Sequence, residues 1–203
     1  RSTQGYSSAA SDVYKRQDPQ YTINTKTQFS TVENAKQALM GCYGYMSADN
    51  AYGQAWQEVT FGYCGFGWSQ TNGSSTDLLV SMDGGIDETI NTMAWRGMYK
   101  VIGETNAFIA NIADSPLESA DKLPMEAAAR FLRALAYYNL AVTYGDVPLK
   151  TTPSAHDGVA VPRSPKNEVF ELVRTDWEFA YENLPEKDDD GFATKWAAKA
   201  YLG

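Results

Sequence analysis

The chain has 203 residues, enough for one to one and a half domains at about 150 residues each and for a hydrophobic core of real size. With 43% hydrophobic and 21% charged residues it is not disordered by composition, and no run approaches the ~18 consecutive apolar residues of a membrane helix. Its 17 basic and 25 acidic side chains balance at −8 without a basic stripe, which argues against nucleic acid and anionic lipid as partners.

Residues 1–17, RSTQGYSSAASDVYKRQ, are Ser-rich and show no period of 2 or 3.6. They resemble translated adapter sequence and are expected to be a non-native leader. Removing their three basic residues and one acid takes the balance to −10. The other end stops inside a helical pattern. Residues 18–203 are therefore expected to be the N-terminal part of a longer domain.

Helical periodicity begins at Thr31 and runs to Ser47. Ser30 or Thr31 can cap it, Glu33 lies in the first turn, and Ala35, Leu39, Cys42 and Met46 form one apolar stripe. From Asp49 to about Gly85 the period breaks. This stretch is rich in Gly, Ser, Asn and aromatics, and is too long for an ordinary connection. Periodicity returns from Ile86 to Ala113, where Trp95, Tyr99, Ile102, Asn106, Ile109 and Ile112 share a face. Next, Leu123-Pro124-Met125-Glu126 puts Pro in the first turn of a helix that continues from Ala127 to Tyr144. Its stripe is Phe131, Leu135, Tyr138 and Val142, its alanines permit close packing, and Gly145 ends it. A loop over 150–165 holds three prolines. Ser164-Pro165 opens a helix on Val169, Leu172, Val173, Asp176 or Trp177, Ala180 and Leu184. After an acidic loop, Glu186 to Asp190, a fifth helix starts near Ala193.

The helices carry a trace of the 34-residue tetratricopeptide pattern. Val173, Trp177, Ala180 and Pro185 step by four, three and five, as its second helix does. Ala197, Ala198 and Tyr201 fit its first helix, and Ala134 and Tyr137 take two of the same places one hairpin earlier. The predicted fold is all-α: tetratricopeptide-like helical hairpins with long loop insertions, 49–85 and 150–165, each inside a hairpin.

Ala129-Arg130-Phe131-Leu132-Arg133-Ala134-Leu135-Ala136-Tyr137-Tyr138, followed by Tyr144-Gly145-Asp146-Val147-Pro148-Leu149, resembles the signature of SusD/RagB proteins, nutrient-binding outer-membrane lipoproteins of Bacteroidota. Trp95 to Asn106, Arg163 to Pro185 and Gly191 to Tyr201 resemble further family segments in order and spacing. The resemblance covers about Asn24 to Gly203. It implies a tetratricopeptide scaffold whose loops bind glycans or, in some members, peptides. It also implies a lid on a SusC-type TonB-dependent transporter, held to the outer face of the outer membrane by lipid on an N-terminal cysteine outside this stretch. Neither Cys42 nor Cys64 sits in a lipobox-like context.

The candidate glycan site lies in the first insertion. Sugar rings present apolar C–H faces, which aromatic side chains cover, and polar rims, which amides and carboxylates bind. Tyr63, Phe66 and Trp68 lie among glycines, with Gln70, Asn72 and Asp77 nearby. Trp95, Tyr99, Trp177, Trp196 and Tyr201 sit at helical spacing and are expected in the core. Arg130 and Arg133 are expected to hold carboxylates or carbonyls between hairpins. The base rate of buried cysteine favours two buried free thiols over a disulfide.

Enzyme chemistry finds little support. The single histidine, His156, is poor material for acid–base or metal work. Asp83 and Asp87-Glu88 have nothing to fix them as a glycosidase pair. Asp188-Asp189-Asp190-Gly191 lacks the alternate spacing of a calcium loop and reads as a solvated turn. No catalytic residue, metal or cofactor is expected.

Overall fold

The structure is a computed structural model that describes residues 28–62, 64, 81–82, 89–153, 161–188 and 191–203. Thr31 starts the first helix: its Oγ1 accepts the Asn34 N–H at 3.3 Å, filling one of the donors a helix start leaves open. Helix α1 (Val32–Ser47) buries the predicted stripe of Ala35, Leu39, Cys42 and Met46. A π-helical turn (Asp49–Gly53) and a short helix α2 (Ala55–Gly62) follow. Then come α3 (Thr89–Ala113), α4 (Ser119–Tyr144), β1 (Val147–Pro148), β2 (Arg163–Ser164), α5 (Lys166–Asn183) and α6 (Lys195–Leu202). β1 and β2 pair antiparallel, Val147 opposite Ser164.

Helix α4 is the centre. It packs against α1 and α3 on one side and α5 on the other, and α6 closes on α5. Ala127, Ala129, Ala134, Ala136 and Ala141 are fully buried, so neighbouring helices come close without side-chain volume between them. Tyr137, Leu140, Met98, Ile102 and Ile112 fill the space that remains.

One buried ion pair ties this centre together. Arg133 Nε and Nη2 donate to the two Asp176 oxygens, both at 2.8 Å, and its Nη1 donates to Asn106 Oδ1 at 2.8 Å. Arg130 adds a longer contact of 3.4 Å to Asp176 and binds Glu126 at 2.6 Å. Both arginines thus take the structural role expected of them. Both Asp176 and Trp177 are buried, which resolves that choice in the α5 stripe.

Several expectations are corrected. Helix α4 begins at Ser119, so Pro124 lies beyond its first turn. The missing N–H affects only the carbonyl of exposed Ala120, near the helix start. The stripe Phe131–Leu135–Tyr138–Val142 is covered only at its start: Phe131 is buried and Leu135 half-buried, whereas Tyr138 and Val142 are 38% and 53% exposed, because the packing of α3 and α5 buries the alanine and Tyr137 positions there instead. Helix α2 was invisible as a period, since eight residues hold barely two turns. Trp196 and Tyr201 are 54% and 45% exposed because the described structure covers one side of α6 only. Of the cysteines, Cys42 is buried and Cys64 exposed, and both are free. Burial first, then Glu104, pushes the Cys42 thiol up to about 12, so it stays protonated and inert.

The first insertion is seated on α3 at Gly97. A Cβ there would overlap the Asn50 carbonyl and lie 3.0 Å from the Ala51 nitrogen. Only glycine lets the turn lie against the helix backbone.

Three outcomes follow from this packing. Asp176→Ala, which leaves Arg133 buried without a counter-charge, should lower stability by about 3–5 kcal/mol in denaturant unfolding. Gly97→Ala should release the 49–62 segment, read as faster amide exchange there while the α4–α5 pair keeps its protection. Tyr43, whose hydroxyl accepts the Ala193 N–H at 3.0 Å, has its phenol raised by burial from 10.0 to about 12. Its contribution to stability is whole below pH 10 and is lost as pH rises through about 12. Stability should fall across that window, and Tyr43→Phe should flatten the fall.

Candidate functional site

Antiparallel packing decides where the insertions emerge. Phe29, before α1, meets Phe108 near the end of α3 at 5.4 Å, so these helices run oppositely. In the next hairpin Asp146 Oδ1 accepts the Lys166 N–H at 2.9 Å, while Arg133 reaches Asp176 farther along. The end of α1, the start of α3, the end of α4 and the start of α5 therefore share one end of the array. Both insertions leave from there.

The described residues at that end are tightly joined. Asn139 Nδ2 donates to the Tyr52 hydroxyl at 2.6 Å, fixing the first insertion to α4. The Tyr144 hydroxyl donates to the Asn91 carbonyl at 3.4 Å, and the Tyr99 hydroxyl to the Pro148 carbonyl at 2.8 Å. The second insertion starts and returns through the β1–β2 pair. Lys150 is held as well: its carbonyl accepts from Tyr137 Oη at 2.8 Å and from Asn106 Nδ2 at 2.9 Å.

Aromatic rings concentrate here. Trp95 meets Tyr144 edge-on at 5.1 Å and Tyr99 at 5.0 Å, and all three are half-buried. Tyr52 and Trp56 lie 6.5 Å apart, and Phe61 at the end of α2 is exposed. Burial raises the Tyr52 phenol, against the lowering effect of the Asn139 hydrogen bond. Burial, with Tyr137 adding, raises Tyr99. Both stay neutral hydroxyls at ordinary pH. Their chemistry is flat apolar faces with fixed polar rims, suited to holding a ligand rather than to attacking one.

The sequence-predicted site residues Tyr63, Phe66, Trp68, Gln70, Asn72 and Asp77 lie outside the described residues, as do His156, Asp83, Asp87 and Glu88. What is described is their root: the turn and α2 that lead into them, with Cys64 just beyond. Trp95 and Tyr144 were missed as members of this end. Trp95 reads as core by helical spacing, and the available signal was its position in the early turns of a helix that follows a long insertion. Among the described residues no group of three or more His, Cys, Asp or Glu could hold a metal ion. No helix among them is long and apolar enough to cross a membrane.

Comparison with known proteins agrees with this architecture. The SusD-like family model described as "Starch-binding associating with outer membrane" matches residues 19–203. SusD-like protein P25 of Formosa agariphila is 23% identical over 95% of this chain and 39% of its own length. A SusD homolog from Bacteroides thetaiotaomicron superposes with a TM-score of 0.78 at 22% identity, over 93% of this chain and 37% of that one. A structure with xylogluco-oligosaccharide superposes with a TM-score of 0.73 at 25% identity, over 83% of this chain and 33% of that one. The chain thus spans about two fifths of the length of curated relatives such as P25. The match over residues 19–203, on an array of antiparallel helical hairpins with two insertions at one end, shows that this chain belongs to the SusD-like family.

Proposed function

We propose that the chain is part of a cell-surface protein that captures an oligosaccharide and passes it to a SusC-type TonB-dependent transporter. The observation that carries this reading is the convergence of both insertions on one aromatic-rich end, where hydroxyls of Tyr52, Tyr99 and Tyr144 are already fixed by hydrogen bonds. A sugar face needs such flat surfaces with little conformational freedom left to lose. In this reading Trp68 stacks on a sugar ring, with Tyr63 and Phe66 beside it. Gln70, Asn72 and Asp77 bind the hydroxyl rim. No bond is made or broken. Family membership supports the glycan as ligand class, and so does the relative that carries a xylogluco-oligosaccharide. Family membership also supports placement on the outer face of the outer membrane, with a lipid anchor outside this stretch.

Isothermal titration of the chain against a panel of plant and algal oligosaccharides, xylogluco-oligosaccharide included, tests the proposal. Binding to at least one glycan is expected, and Trp68→Ala should weaken it about tenfold or more, the loss of a central aromatic contact worth above ~1 kcal/mol. Absence of heat with every glycan, while the transporter still co-purifies, would replace capture with a docking role alone.

A further inference from the structure

The strand that opens the second insertion is held along one edge. The carbonyls of Pro148, Lys150 and Thr152 all turn toward the helices. Tyr99 Oη donates to the first at 2.8 Å and Tyr137 Oη to the second at 2.8 Å. Asn106 Nδ2 donates to the second at 2.9 Å and to the third at 3.3 Å. The Lys150 N–H donates to Tyr137 Oη at 2.6 Å, so both backbone groups of Lys150 are engaged. Tyr137 is fully buried and Asn106 nearly so. Two buried side chains thus fix the backbone of one half-exposed lysine. A stem that starts from a fixed point loses less freedom when its ammonium grips a ligand.

The same extended geometry gives Lys150 a cationic neighbour. Arg163 stands opposite Pro148 in the β1–β2 pair. Carbonyls that alternate along 148–152 put the Lys150 side chain back on the face of Pro148, and so on the face of Arg163. Such diagonal positions lie roughly 7–8 Å apart, and like charges held there repel. Neither cation makes an ion pair among the described residues. Elsewhere the pattern is the reverse, as Arg174 binds Glu171 and Glu178, and Lys195 binds Glu186. Asp146, at the start of the neck, is turned to α5, where its Oδ1 accepts the Lys166 N–H. In a chain with more acids than bases, two cations side by side without an acid stand out. They also adjoin the aromatic corner. Burial and Tyr137 raise the Tyr99 phenol, and the charge on Arg163 opposes that rise.

We infer that Lys150 and Arg163 are the anion-binding part of the glycan site, and that the captured oligosaccharide carries an acidic substituent, a uronate carboxylate or a sulfate ester, seated between them. The inference rests on the capture reading and names its ligand class. An anion there relieves the repulsion between the two cations, and the arginine fork suits a group with two oxygens in one plane. The net charge of −8 does not forbid it, because charges beyond about 8 Å are largely screened at physiological salt and the local pair decides. Asn106 and Tyr137 are then positioning residues, acting on the ligand through the Lys150 backbone.

Isothermal titration with three ligands tests this: a neutral xylogluco-oligosaccharide, an oligogalacturonate and a sulfated galactan oligosaccharide. At least one acidic ligand should bind about tenfold or more tighter than the neutral one, with the advantage shrinking as salt is raised. Which of the two acidic ligands gains tells carboxylate from sulfate. Lys150→Gln and Arg163→Gln should each weaken the acidic ligand about tenfold and the neutral one far less. Lys36→Gln, the same charge change near the start of α1 at the opposite end of the array, should spare both. Tyr137→Phe keeps the ring and the lysine charge but frees the Lys150 backbone, and it should weaken the acidic ligand more than the neutral one. Both glutamine variants should unfold at the same or a higher denaturant midpoint, since each removes a repulsion; a lower midpoint means a structural partner and overturns the inference. Acidic ligands that bind no tighter than the neutral one overturn it while capture stands. No binding by any of the three overturns both.

Discussion

A single guanidinium sets the register of the array. Arg133 reaches α3 through Asn106 and α5 through Asp176, with all three hydrogen bonds at 2.8 Å. The alanine-rich face around it would tolerate other alignments, because small side chains offer few knobs to resist sliding. The charge does not. Slipping α4 by one turn, about 5.4 Å, would strand a buried cation and a buried carboxylate at once. The planar fork of arginine suits it to bond two oxygens of one carboxylate and still turn a third N–H to another helix. The pair therefore acts more on which packing is adopted than on how stable that packing is.

Register at the centre fixes geometry at the edge. Asn106 accepts from Arg133 on one side and donates to the Lys150 carbonyl on the other. Tyr137 binds the same peptide from α4. The start of the second insertion is thus connected to the buried ion pair through one amide. The first insertion is placed by shape, as the turn at Asn50 lies against the bare backbone of Gly97, and by Asn139 holding Tyr52. Two different devices bring both segments to the same end of the helices.

The helical skeleton was legible because its causes are local. The Ala35–Met46 stripe, the Thr31 cap, the positive φ of 74° at Gly145 and the start of α5 after Pro165 each follow from a few neighbouring residues. The roles of Arg130 and Arg133 were legible in kind, since arginines beside an apolar stripe need acceptors. Which acceptor was not, because Asp176 lies 43 residues away in sequence. The exposed Val142 and Tyr201 were misjudged for a related reason: period identifies an apolar face, but only neighbours decide whether it is covered. For the candidate site, composition pointed to the aromatic-rich first insertion and no further. Its predicted residues fall outside the described positions, while Trp95 and Tyr144 were hidden inside helical periods.

The second insertion is pinched shut at its neck. Val147–Pro148 pairs with Arg163–Ser164, and Asp146 caps α5 at Lys166, so the chain leaves and re-enters the scaffold at one place. With the ends already together, lengthening the loop between them adds little entropy, roughly 0.6 kcal/mol per doubling. Between the Lys150–Thr152 stretch, whose carbonyls Asn106 and Tyr137 hold, and the second strand, residues can be exchanged, extended or shortened while the helices keep their packing. A scaffold closed in this way lets the loop drift in sequence without refolding the domain, and it marks the neck as the natural junction for grafting a loop from a relative.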